Sequence, residues 1–147
     1  MKPVWVLVAD SSQARIFSAE NSQADLIEIE TLFHPEGRLH EQEMDSDLPG
    51  KNSGSRGAGG HAYSDENSPK EQEEINFALR VAHHLSDELN QNKYERLYMV
   101  AAPAFLGDLR NAISTRVEKH VAFSLGKNIV MLSPEEIRTH LPLSLAS

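Results

Sequence analysis

Six consecutive residues, Leu97-Tyr98-Met99-Val100-Ala101-Ala102, form an uncharged apolar run that stops at Pro103. A run this short, rich in strand formers, suits a strand covered on both faces. Proline fits the first position of a helix, where its missing N–H would have no partner anyway. Behind it Phe105, Leu106, Leu109, Ile113 and Val117 recur at helical spacing, which predicts one amphipathic helix through that stretch. A buried strand that turns at once into such a helix points to an α/β domain, with Glu95–Arg110 as its hub.

The residues before the hub supply the neighbouring strands. Val4–Asp10 reads as a first strand and Ala14–Glu20 as a second, with Asp10-Ser11-Ser12-Gln13 as turn formers between them. Asp25–Phe33 reads as a third. Its middle alternates Ile27 and Ile29 with Glu28 and Glu30, the pattern of an antiparallel strand with one wet face.

From His34 to Asn67 periodicity disappears, and Gly50, Gly54, Gly57, Gly59 and Gly60 fall among small polar residues. Residues 35–67 are expected to form a long, mobile, acidic and Gly-rich loop, a class that is commonly functional or disordered. Ser68-Pro69-Lys70-Glu71 then has the form of a capping box. The helix it opens is expected to bury Ile75, Ala78, Leu79, Ala82, Leu85 and Leu89 and to reach about Asn92. After the hub, Val121–Leu125 reads as a last strand and Gly126-Lys127-Asn128 as a turn. Ser133-Pro134-Glu135-Glu136 caps a final short helix that Pro142 ends. The order β-β-β-α-β-α-β-α predicts a single α/β domain over residues 1–147. A mixed five-stranded sheet of ribonuclease-H-like topology, with helices on its faces, closes it through right-handed crossovers.

Composition narrows the function classes. The formal net charge is −8, which opposes broad nucleic-acid binding through phosphate neutralisation. Much of the excess lies between Pro35 and Glu74, where ten acidic residues face four basic ones. The chain has no Cys, hence neither a disulfide framework nor thiolate chemistry. No run approaches the ~18 apolar residues of a membrane helix, and the N-terminus lacks the form of a signal peptide. Cytoplasm is the expected location, and no membrane contact is expected. Oligomeric state is left open.

Two stretches resemble the bacterial host attachment protein family. They are Trp5-Val6-Leu7-Val8-Ala9-Asp10 followed by Ala14-Arg15-Ile16-Phe17, and Leu97–Arg110. The similarity extends at matching spacing into the last third of the chain, and the family's name implies a role in attachment to host cells. A more distant resemblance is to the middle domain of eukaryotic and archaeal class-one peptide-chain release factors, where a loop ending Gly-Gly-Gln precedes a long helix. Here Arg56-Gly57-Ala58-Gly59-Gly60-His61 stands before the Ser68 helix, with His61 where that family has its catalytic Gln. The departure argues against peptidyl-tRNA hydrolysis, while the resemblance implies contact with RNA or the translation machinery.

Candidate site residues fall into two sets. In the loop, Arg56, Gly59, Gly60 and His61 combine a cation with glycines whose N–H groups approach an anion closely. At the strand ends and the hub helix stand Asp10, Arg15 and Arg110, near where α/β sheets bind ligands. Asp10 also reads as a turn residue bonding its own backbone. A ribonuclease-H-like nuclease holds metal with carboxylates on its first and fourth strands, and Leu97–Ala102 carries none. Neither a phosphate-binding Gly-x-x-x-x-Gly-Lys-Ser/Thr nor a Gly-x-Ser-x-Gly elbow is present. His83 and His84 diverge on their helix by roughly 100° and cannot readily share an ion. No cofactor, metal site or catalytic residue is assigned. The expectation is a non-catalytic cytoplasmic binding protein that contacts RNA or the ribosome through the Gly-rich loop, with an indirect role in attachment. The alternatives are a metal-dependent nuclease or other hydrolase, and a protein-interaction module whose partner is a protein bound by the acidic loop.

Overall fold

The computed structural model describes residues 3–20, 24–34 and 68–142. Strand β1 (Val4–Ala9) is buried in all six residues because it lies mid-sheet, with β2 (Gln13–Ala19) antiparallel on one side and β4 (Arg96–Ala101) parallel on the other. The edges are β3 (Ile27–Phe33), antiparallel to β2, and β5 (Val121–Gly126), parallel to β4. The strand order is β3-β2-β1-β4-β5, a mixed five-stranded α/β sheet.

Alternation along β1 feeds two cores. Trp5, Leu7 and Ala9 point into one, formed with α1 (Pro69–Asn90) and α2 (Pro103–Ala112) through Phe77, Val81, Leu85, Phe105 and Leu109. Val4, Val6 and Val8 point into the other, which Ile129, Val130, Ile137 and Leu141 close from the C-terminal segment bearing α4 (Pro134–Thr139). In the first core Trp5 stacks on Tyr94 at 4.6 Å, an arrangement worth about 1 kcal/mol beyond burial. The Tyr94 hydroxyl donates to the Leu85 carbonyl at 2.7 Å, so its one polar atom is satisfied inside.

Both predicted capping boxes form. Ser68 Oγ accepts from Glu71 N, and Glu71 Oε1 accepts from Ser68 N; Ser133 and Glu136 repeat the exchange. α1 closes at Asn92, whose φ of 60° is a left-handed cap that asparagine tolerates.

Three expectations need correction. The helix foreseen from Phe105 to Val117 is two helices. Ile113 is extended (ψ 149°), and Ser114 restarts the chain by accepting from Val117 N at 3.1 Å, giving the short α3 (Thr115–Glu118). A serine side chain that caps a new turn competes with continuing the old one. Second, Leu79 is half exposed rather than core, and Phe77 and Val81 take the buried positions instead. Third, β3 does not bury its isoleucines: Ile27 is 62% and Ile29 47% exposed. A register shift opposite Ile16 and Phe17 pairs them with Glu30 and Glu28, leaving Ile29 as the extra residue of a bulge. Both glutamates stay exposed as well: Glu28 pairs with Arg15, and Glu30 Oε1 stands 3.1 Å from His84 Nε2 on α1.

Candidate functional site

The carboxyl ends of β1, β4 and β5 meet at one end of the sheet, where Ala102 N donates to the Ala9 carbonyl and α2 begins. Asp10 follows β1 and is only 7% exposed. Its Oδ1 accepts from Ser12 N and Ser12 Oγ, both at 2.8 Å, and from Gln13 N at 3.1 Å. Its own N–H donates to the Gln13 carbonyl at 2.9 Å. This is an aspartate closing a tight turn on itself, the arrangement its position between two strands favours. Oδ2 stands 3.5 Å from Asn128 Nδ2, which brings the β1–β2 turn against the segment after β5.

Arg15 meets that same segment. Its Nη1 donates to the carbonyls of Val130 (2.5 Å) and Leu132 (2.8 Å), while Nε and Nη2 reach the two Glu28 oxygens at 3.3 and 3.0 Å. The guanidinium also lies 5.0 Å from the Phe17 ring centre. Glu28 is held below the usual carboxylate range, chiefly by its hydrogen bond from Arg15, with Thr31 adding a second bond. Asp10 and Arg15 thus come together on residues 128–132, and their polar atoms are used to fasten that segment to the sheet.

Arg110 stands apart from both. It is exposed on α2 and borders a half-enclosed cleft of about 270 Å³ with Met99, Ile113, Glu118, Val121 and Ser124. Nearby on α2, burial pushes the Asp108 carboxyl up, and the charge of Glu71 on α1 pushes the same way. Arg56, Gly59, Gly60 and His61 lie outside the described residues.

In sequence His34 only opens the stretch without periodicity, and the structure gives it a defined place. It is 8% exposed, its Nδ1–H donates to the Ser11 carbonyl at 2.8 Å, and its backbone N donates to Ser12 O at 2.8 Å. Its ring stacks on Phe77 at 5.0 Å. Beside it, Arg80 donates to the Phe33 carbonyl at 2.6 Å and covers the other aromatic partner, Phe77, at 5.1 Å. His34, Glu73, Asn76, Phe77 and Arg80 line a cleft of about 300 Å³ at the root of residues 35–67. A buried histidine after an exposed Phe33 carries no periodic signal, which is why sequence alone passes over it.

Among the described residues, no three His, Asp or Glu side chains converge as a metal cluster would, and β4 carries no acid. No helix there is long and apolar enough to cross a membrane.

Comparison with known proteins adds a family. Among curated proteins, none matches the sequence. Among solved structures, the chain is similar to the type II variant of the Aquifex aeolicus Ppx/GppA phosphatase, at 14% identity and a TM-score of 0.40. That match covers 85% of this chain and 35% of the phosphatase, so the chain spans about a third of its length. The family described as "Protein required for attachment to host cells" matches residues 5–141, nearly the whole chain. That match supports the first resemblance drawn from the sequence and lends nothing to the second, with release factors. The chain is a member of the family of proteins required for attachment to host cells.

Proposed function

We propose that the protein is a non-catalytic cytoplasmic binding protein of ribonuclease-H-like fold. In this reading it contacts RNA or the translation machinery through Arg56–His61 and serves attachment to host cells indirectly. The strand order β3-β2-β1-β4-β5 supports the fold assignment. The observation that carries the binding reading is how the residues flanking 35–67 are held. His34 before it is pinned to Ser11 and Ser12 at the sheet end where α/β domains bind ligands. Ser68 after it forms the capping box at the start of α1. Between them the sequence supplies Arg56 among four closely spaced glycines or alanines, a composition suited to backbone contact with phosphate. The commitment of the Asp10 carboxylate to its own turn favours binding over hydrolysis.

Sedimentation with ribosomes tests this. Association is expected to weaken as salt rises from roughly 50 to 200 mM and to be lost in Arg56→Ala. Association indifferent to salt, or none at all, removes the reading.

A further inference from the structure

We propose that the cleft between α2, α3 and β5 is a binding site for a small zwitterion with an apolar side chain, an α-amino acid of the leucine or methionine class. Its walls are Met99, Ile113 and Val121, with the Ser124 hydroxyl on β5 beside them. Arg110 and Glu118 border it with opposite charges. Among the described residues neither of these side chains has an ion-pair or hydrogen-bond partner. Oppositely charged residues flanking one concavity would ordinarily pair with each other, and these do not reach. A ligand that presents a carboxylate to Arg110 and an ammonium to Glu118 completes both.

The volume supports the same class. A cleft of about 270 Å³ is small for a drug-sized molecule and suits a ligand of roughly ten non-hydrogen atoms. Half of its lining is apolar, Met99, Ile113 and Val121, and gives a hydrophobic side chain contact beside the charged groups, whereas a nucleotide would exceed the space and carry no cation for Glu118. Arginine's planar fork is matched to a carboxylate by two parallel hydrogen bonds, so the guanidinium and not merely its charge is used. None of the residues that line this cleft belongs to the 35–67 stretch, so its test reads out separately from ribosome association.

The test is titration of the full chain with leucine, methionine, N-acetylleucine and leucinamide, followed by methyl NMR of Met99, Ile113 and Val121. The two free amino acids are expected to shift those methyl signals with dissociation constants near 1 mM or below. N-acetylation, which removes the ammonium, and amidation, which removes the carboxylate, should each weaken binding about tenfold or more. Arg110→Gln should abolish discrimination against leucinamide, and Glu118→Gln should abolish discrimination against N-acetylleucine. Both residues are exposed, so the variants are expected to fold, and thermal melting checks this. No shift of these methyls at about 10 mM amino acid overturns the proposal. So does binding that leaves both discriminations intact in the variants.

Discussion

Arg15 grips both oxygens of Glu28 across the β2–β3 bulge while the same guanidinium donates to the carbonyls of Val130 and Leu132. One side chain therefore joins the edge strand, its neighbour and the C-terminal segment. Its replacement by methionine keeps much of the packing on Phe17 but leaves two carbonyls without donors. Arg15→Met is expected to cost about 2–4 kcal/mol in urea unfolding, and Arg15→Lys should recover only part of it.

The same pair sets an acid response. Glu28 has a depressed carboxyl, so its contribution is present above the unfolded carboxylate range, about pH 4.3, and is lost as pH falls through the lower folded value. Glu28→Gln should lower stability at neutral pH and flatten the decline between about pH 5 and pH 3. Thermal melting across that window shows it. Two parallel melting curves, differing only by a constant offset, would count against the pairing.

Asp10 is a structural acceptor in its turn. Asp10→Ala removes the oxygen that serves the N–H groups of Ser12 and Gln13, and is expected to cost roughly 1–3 kcal/mol. Asn in its place keeps one acceptor and should cost less. Equal losses in both variants would mean that charge, not turn geometry, is what the site uses.

Asp108 works in the opposite direction to Glu28. Burial and the neighbouring Glu71 raise its carboxyl, so the folded state favours the neutral form. Stability is full below about pH 4 and declines as pH rises through the raised folded value. Asp108→Asn should therefore raise the melting temperature at pH 7. The gain should vanish at low pH, where the native carboxyl is already neutral.

Tyr94 predicts an alkaline limit. Burial raises its phenol far above the ordinary range. The stability it contributes is present below about pH 10 and is lost as pH climbs from there toward the folded value. Its ionisation, followed by ultraviolet absorbance, should coincide with unfolding. Tyr94→Phe removes this dependence while costing about 1 kcal/mol at pH 7, since the Leu85 carbonyl loses a donor.

Much of this fold is written in local patterns. The β4 run, both Ser-Pro-x-Glu caps and the placement of Pro103 at the first turn of α2 depend on short-range chemistry, and each is found where the residues put it. What escapes a sequence reading is decided by tertiary partners. Ile27 and Ile29 alternate correctly for a core face, yet on this bulged edge strand they and the intervening glutamates all stay exposed, and the glutamates' neighbours Arg15 and His84 are not near in sequence. The break at Ile113 hangs on which of two hydrogen bonds Ser114 enters. For the site, Asp10 as a turn residue was legible from its neighbours. The capture of the 128–132 segment by Arg15 was not, because it joins residues more than a hundred positions apart.

The placement of β1 has a consequence for biosynthesis. Its antiparallel partner β2 follows immediately, but its parallel partner β4 is translated about 90 residues later, which at ribosomal speed is a delay of roughly 5–20 s. Because β1 supplies side chains to both halves of the interior, neither half can be completed during that interval. Until β4 arrives, β1 has one edge without its parallel strand and neither of its apolar faces fully covered.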